Sequence, residues 1–242
     1  MKRYLVDSAA IRQNLETLKK RAGKARLFAV VKGNGYGLGL VPLAAICRDA
    51  GVDTFCVTEV SDAKQLRDAG FPQDILMIRP TCDVDEVHQL LDLSVILTVS
   101  SPDDAAVLNG IATQRKQRIR AHVEIDTGMG RYGFLPSELD KLIHLYSYMD
   151  GLELCGIYTH FHSAFCNKKA TDLQMVAFRS VIRQLQEKGF DVGVCHCCNS
   201  AGLLRFPNYA MDAVRVGSAI LGRLSFCLLY TSPSPRDVEE SR

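Results

Sequence analysis

Eight short apolar runs, each followed by a polar or helically spaced stretch, constrain this chain more than any other feature. The runs are Arg26–Val31, Thr54–Val57, Ile75–Ile78, Val95–Val99, Ile119–Ile125, Gly156–Thr159, Val192–Cys195 and Ala213–Val216. Helical spacing fills the gaps, clearest at Val41–Ala50, Ser61–Ala69, Leu139–Tyr148 and Thr171–Lys188. Pro42 falls in the first turn of one helix, Gly70 stops the next, and Ser61 is read as that helix's cap. A further helix, Val6–Ala22, precedes the first strand, with Asp7 or Ser8 as its cap. Repeated strand-then-helix order implies a parallel sheet. Eight repeats favour an α/β fold closed as a (β/α)8 TIM-type barrel with outer helices, over a doubly wound open sheet.

The 242 residues suffice for one such barrel and little more, since these domains run to about 250 residues. Net charge is +2 with the signs interspersed, so neither a nucleic-acid stripe nor a polybasic membrane patch is expected. No run of about 18 apolar residues exists to span a bilayer. Met1-Lys2-Arg3-Tyr4 leads into a polar pattern and not into a signal peptide, so a cytoplasmic location is expected. Nine cysteines, an odd number in a core-rich chain, fit reduced thiols better than a disulfide framework. Cys195, Cys197 and Cys198 crowd His196, but close neighbours do not easily wrap one tetrahedral ion, so no metal is expected.

The end of the chain breaks the rhythm. Residues 224–242 are Pro/Ser-rich, with Thr231-Ser232-Pro233-Ser234-Pro235-Arg236 at their centre. They resemble the translation of a sequencing adapter. The expected domain is therefore 1–223, with 224–242 an irregular tail of non-native sequence.

Chemistry in parallel barrels sits at the C-terminal strand ends. Lys32 closes the first strand there, Arg131 follows the fifth, and His160 closes the sixth. Asn199 and Ser200 follow the seventh, and Arg215 and Gly217 end the eighth. An amine leaving an apolar strand is a candidate nucleophile, because partial desolvation favours the neutral form that attacks carbonyls. Spacing alone equally allows a snorkelling surface lysine beside a glycine turn. Tyr36, four residues on, could reach a phosphate with its hydroxyl.

The run Val30-Val31-Lys32-Gly33-Asn34-Gly35-Tyr36-Gly37-Leu38-Gly39 resembles the cofactor-lysine signature of alanine racemases, VVKANAYGHG. Gly33 and Gly35 replace its alanines and Leu38 its histidine. Asp126–Arg131, Thr159–Phe161, Asn199-Ser200 and Arg215–Gly217 match further motifs in order, so the resemblance spans about residues 4–223. It implies that Lys32 holds pyridoxal 5'-phosphate as an internal Schiff base and serves as one of two racemisation bases. Tyr36, Asn199, Ser200 and the backbone N–H groups of Gly217 and Ser218 are then cofactor-binding, mainly around the phosphate. Arg215 faces the pyridine nitrogen and keeps it unprotonated, because arginine does not give up its proton.

By the same resemblance, Arg131 contacts the cofactor's phenolic oxygen and the substrate carboxylate. Glu124 stands where many members carry a carbamylated lysine and supports Arg131. His160 partners the opposite base and Arg215, and His196 also hydrogen-bonds Arg215. That opposite base is a tyrosine from a C-terminal β domain of the partner subunit in a homodimer. This stretch of sequence does not encode it, so a fragment with little racemase activity alone is expected. The substrate is a small amino acid, alanine by default and serine as a second candidate. A non-catalytic pyridoxal-phosphate homeostasis protein is the alternative. A basic-amino-acid decarboxylase is disfavoured, since it calls for an acidic partner where Arg215 stands.

Overall fold

The computed structural model describes residues 5–223. The expected tail, 224–242, lies outside the described residues. The strands are β1 (Arg26–Val30), β2 (Thr54–Val57), β3 (Asp74–Met77), β4 (Leu97–Val99), β5 (Ile119–Glu124), β6 (Leu152–Tyr158), β7 (Val194–His196) and β8 (Ala213–Val216). Helix α1 (Ser8–Ala22) precedes β1. Then α2 (Leu40–Asp49), α3 (Val60–Asp68), α4 (Val84–Asp92), α5 (Pro102–Arg115), α6 (Leu139–Tyr148), α7 (Lys168–Glu187) and α8 (Ser200–Arg205) follow β1 to β7 in turn.

All pairings are parallel, in the order β3-β2-β1-β8-β7-β6-β5-β4. The ring closes between β3 and β4, where Leu76 bridges Ile96. There the Ile96 N–H donates to Ile75 O at 2.8 Å and the Met77 N–H to Ile96 O at 2.9 Å. This closure makes the fold the expected (β/α)8 barrel and excludes the open sheet, which would leave two free edges.

Boundaries moved for local reasons. β6 starts at Leu152, four residues early, because Leu152–Leu154 pair with Ile119–Ala121 before a bulge at Ala121/His122. That first half alternates in burial and so lacks an apolar run. β7 starts at Val194, two residues late, because Gly193 has φ 63° and leaves extended backbone. Asp7 caps α1, its Oδ1 accepting from the Ala9 and Ala10 N–H groups. Ser61 does not cap α3: the helix begins one residue earlier, at Val60, and Ser61 lies inside its first turn. Asn167 starts α7 at Lys168 by accepting the Ala170 N–H at 3.0 Å.

Alternation along the strands separates two faces. Leu27, Ala29, Phe55, Ile75, Val123, Ile157 and Val214 face the helices and form the main core. Phe28, Val30, Cys56, Leu76, Ile96 and Ala213 form a second cluster on the opposite, inward face. The inward face of β4 to β8 also carries buried polar side chains: Thr98, His122, Glu124, Tyr158, His196 and Arg215. The barrel interior is thus apolar on one side and hydrogen-bonded on the other.

Candidate active site

Lys32 opens a turn that winds the wrong way. Gly33 (φ 60°, ψ 49°), Asn34 (51°, 50°) and Gly35 (61°, 40°) are all left-handed, and Tyr36 continues at φ 55°. A left-handed run costs roughly 1–2 kcal/mol at each residue bearing a Cβ, and glycine at 33 and 35 avoids half of that. The turn is held by the Gly35 N–H to Val31 O at 2.9 Å and by Asn34 Oδ1, which accepts the Leu40 N–H at 3.0 Å. Its consequence is to put both Lys32 and Tyr36 on the wall of one cavity.

Tyr36 leans over β8. An ideal Cβ at Gly217 would lie 2.0 Å from the Tyr36 hydroxyl oxygen, so Tyr36 holds this position only while residue 217 lacks a side chain. Burial pushes the Tyr36 phenol up to about 12, with a smaller contribution from Cys56. It therefore keeps its proton and acts as a donor. Opposite it, Ser200 Oγ accepts N–H groups from Gly217 (3.1 Å) and Ala219 (3.3 Å). The Gly217 N–H is thus already spent on the Ser200 hydroxyl.

Arg215 is a buried cation fixed from below. Its Nη1 donates to His196 Nδ1 and, at 3.2 Å, to His196 O. Nη2 donates to Thr159 O at 2.8 Å, and the guanidinium carbon stands 4.8 Å from the Tyr158 ring centroid. Because arginine only donates, His196 Nδ1 is an acceptor and Nε2 carries the hydrogen. Nε2 then donates to His122 Nδ1 at 2.8 Å, which fixes that tautomer as well. Desolvation beside Arg215 holds His122 down to about 3 and His196 well below its usual range, so both rings are neutral.

Glu124 lies across the interior. Burial pushes its carboxyl up to about 7, against the pull of Tyr158, Arg215 and Arg131. Thr98 donates to Met77 O at 2.8 Å and lies 3.1 Å from the Tyr158 hydroxyl, and that hydroxyl donates to Glu124 Oε2 at 3.1 Å. Arg131 is exposed, stacks on Tyr132 at 5.5 Å, and makes no side-chain hydrogen bond or ion pair among the described residues. The hydrogen-bond partner of Glu124 is therefore Tyr158 and not Arg131.

His160 is oriented by Asn199. The amide oxygen of Asn199 accepts the Gly202 N–H at 2.9 Å, so its nitrogen donates to Phe161 O (3.0 Å) and to His160 Nε2 (3.3 Å). His160 therefore carries its hydrogen on Nδ1. Burial and the nearby cations Arg215, Arg131 and Lys32 hold it down to about 3.

A cavity of about 250 Å³ joins these elements, lined by Val30, Lys32, Tyr36, Ile78, His160, Asn199, Ser200, Ala201, Arg215, Gly217 and Ser218. Sequence reasoning singled out eight of these. Glu124 and His196 stand outside the lining, and Arg131 does not reach it. A wider groove of about 490 Å³ between α5 and α6, lined by residues such as Phe134, His144 and Met149, shares no lining residue with this cavity. Among the described residues no group of three or more His, Cys, Asp or Glu is placed to hold a metal ion.

The profile described as the alanine racemase N-terminal domain matches residues 6–225. The chain belongs to the alanine racemase family. It is 38% identical, over 90% of its length, to an alanine racemase of Desulforamulus reducens, of which it spans 59%. A Streptomyces lavendulae alanine racemase structure superposes with a TM-score of 0.84 at 28% identity, covering 96% of this chain and 59% of that one. A Bartonella henselae alanine racemase, solved with covalently bound pyridoxal phosphate, superposes at 0.80 with 26% identity, covering 89% and 61%. The chain thus spans about three-fifths of the length of these relatives.

Sequence reasoning missed His122 and Tyr158, the two residues that complete the network around Arg215 and Glu124. Each is a lone polar or half-polar side chain within an apolar run. Inward register at β5 and β6 was the signal that could have found them.

Proposed function

We propose that the chain is the cofactor-binding barrel of a pyridoxal-phosphate-dependent racemase acting on a small amino acid, with alanine the first candidate. The observation that carries this reading is the pairing of Lys32 with Arg215, not a carboxylate, across one cavity. The cavity suits the cofactor chemically. Ser200 and Tyr36 offer hydroxyls to a phosphate, and the cradle under Tyr36 would be filled by any Cβ at 217. Bound there, pyridoxal phosphate would supply an aldehyde for amines and a ring that draws electrons from the α-carbon.

The chain's own residues divide the remaining work. The Lys32 amine takes the α-proton from, and returns it to, one face of the substrate. Arg215, locked by His196 and Thr159, would hold the ring nitrogen of a bound cofactor by donation without protonating it, and so would limit how strongly the ring draws electrons. Arg131, free at the rim, meets the substrate carboxylate. Glu124, bonded to Tyr158, would act on Arg131 only as a nearby charge, once it ionises above about pH 7. The second base is a tyrosine of a C-terminal domain, given by the partner subunit of a homodimer. Eight cysteines lie among the described residues and all are free thiols, in keeping with the cytoplasm.

The test compares this chain with a C-terminally extended version, each loaded with pyridoxal phosphate, by α-proton exchange of alanine in deuterium oxide and by racemisation. The chain alone should exchange without inverting, and the extended version should do both. Equal racemase turnover in both would overturn the second-base assignment. Cofactor binding with no exchange in either would favour the homeostasis protein.

A further inference from the structure

Helix α7 turns an apolar stripe to the barrel: Thr171, Met175, Phe178, Val181, Ile182 and Leu185 are buried on it. Gln174 interrupts that stripe, and its side chain is buried as deeply as its neighbours. A buried primary amide is costly unless its groups are bonded. Gln174 bonds both of its heteroatoms. Its Nε2 donates to Thr127 Oγ1 (3.1 Å) and to His160 O (3.1 Å), and its Oε1 accepts the His162 N–H (3.1 Å). The amide orientation is fixed, because a backbone carbonyl can only accept and a backbone N–H can only donate.

The two loops so joined carry two of the functional side chains. Residues 126–133 form a self-closed loop. Asp126 Oδ1 accepts the N–H groups of Gly128, Met129 and Gly130, and Phe134 pairs back with Glu124 and Asp126 at its base. Among the described residues, the side-chain hydrogen bonds tying this loop to the rest of the barrel end on Thr127. One goes to Thr159 Oγ1 at 2.7 Å and the other to Gln174. Thr159 also supplies the carbonyl that accepts from Arg215. Above its backbone-paired base, the loop's side-chain ties to the barrel thus run through one threonine, with Arg131 on the loop.

We propose that Gln174 is a positioning residue that sets the register of the Arg131 loop against the His160 loop. It acts through Thr127, His160 and His162 and touches neither cofactor nor substrate. This deepens the racemase reading and rests on it for the roles of Arg131 and His160.

The experiment uses the full chain, without ligand first. Gln174→Met keeps the side chain's length and apolar packing and removes all three hydrogen bonds. Thr127→Val cuts the same strap from its other end without touching α7. Hydrogen-exchange mass spectrometry should show segments 126–133 and 159–164 exchanging at least about tenfold faster in Gln174→Met, with α7 protected as before. Thr127→Val also removes the Thr159 contact and should loosen 126–133 more, and the double variant should be no looser there than Thr127→Val, which already lacks the bond that Gln174→Met removes. Pyridoxal phosphate affinity, read by absorbance, should fall severalfold in Gln174→Met, and Gln174→Glu should recover part of it only at acidic pH, where a protonated carboxyl can again donate. Unchanged exchange in either loop, loosening confined to α7, or additive effects in the double variant would overturn the proposal, as would loosened loops with wild-type affinity. Because the exchange pattern is read without ligand, failure of the wild-type chain to bind pyridoxal phosphate counts against the racemase reading separately.

Discussion

The Tyr36 hydroxyl stands over the α-carbon of Gly217, so close that an ideal Cβ there would lie 2.0 Å from the oxygen and 2.7 Å from Cζ. Contacts that short do not occur between non-bonded atoms, and the tyrosine must move if residue 217 gains a side chain. Gly217→Ala should therefore lose at least about tenfold in pyridoxal phosphate affinity by absorbance titration. Tyr36→Phe, which keeps the ring and removes only the donor, should lose less.

The left-handed turn after Lys32 makes a graded prediction. Nothing lies within 4 Å of an added Cβ at Gly33, whereas at Gly35 it would meet the Leu40 nitrogen at 3.3 Å. Gly33→Ala should cost about 1 kcal/mol by urea unfolding, the conformational penalty alone. Gly35→Ala should cost somewhat more. Since the family signature carries alanine at both positions, neither should abolish folding.

Buried neutral histidines govern acid stability. His122 and His160 are held down to about 3 and His196 well below its usual value by burial and nearby cations. A depressed histidine leaves the folded state unprotonated while the unfolded chain binds protons below about pH 6.5. Stability is therefore lost as pH falls from there, by up to about 1.4 kcal/mol per pH unit for each ring. Glu124 opposes this, because its folded value of about 7 lies above the ordinary 4.5 and the folded state holds the extra proton between them. Urea midpoints should thus fall moderately from pH 6.5 to 4.5 and steeply below 4.5, where Glu124 no longer offsets the histidines.

Glu124→Gln separates stability from function. The raised carboxyl contributes stability that is fully present below about pH 4.5 and lost as pH rises through about 7. Gln cannot ionise, so the variant should gain up to about 3 kcal/mol over wild type at pH 8 relative to their difference at pH 4. If the carboxylate also steadies Arg131, the same variant should bind carboxylate substrates more weakly at pH 8, with the loss shrinking toward pH 6. Unfolding and substrate titrations at the two pH values check both halves.

The strand-helix alternation is enough to read the barrel, because every strand carries an apolar run, β6 in its second half only, and every run is followed by a break. Lys32, Tyr36, Ser200 and Arg215 were legible for the same reason: each sits within a few residues of a strand end, and a parallel barrel brings all such ends to one rim. The interior was not legible. His122 and Tyr158 matter through inward register, which an apolar run does not reveal, and the bulge at Ala121/His122 shifts register mid-strand. Gln174 was hidden because its partners lie 12 to 47 residues away in sequence. Arg131 shows the opposite failure: its motif is clear, yet its side chain is in solvent, since no neighbouring acceptor among the described residues draws it inward.

The most direct measurement is chemical. The wild-type chain is incubated with stoichiometric pyridoxal phosphate, reduced with borohydride, digested, and mapped by mass spectrometry. A single pyridoxyl adduct on Lys32, abolished in Lys32→Ala and weakened in Gly217→Ala, is the predicted result. An adduct spread over surface lysines, or one that persists elsewhere in Lys32→Ala, would contradict it.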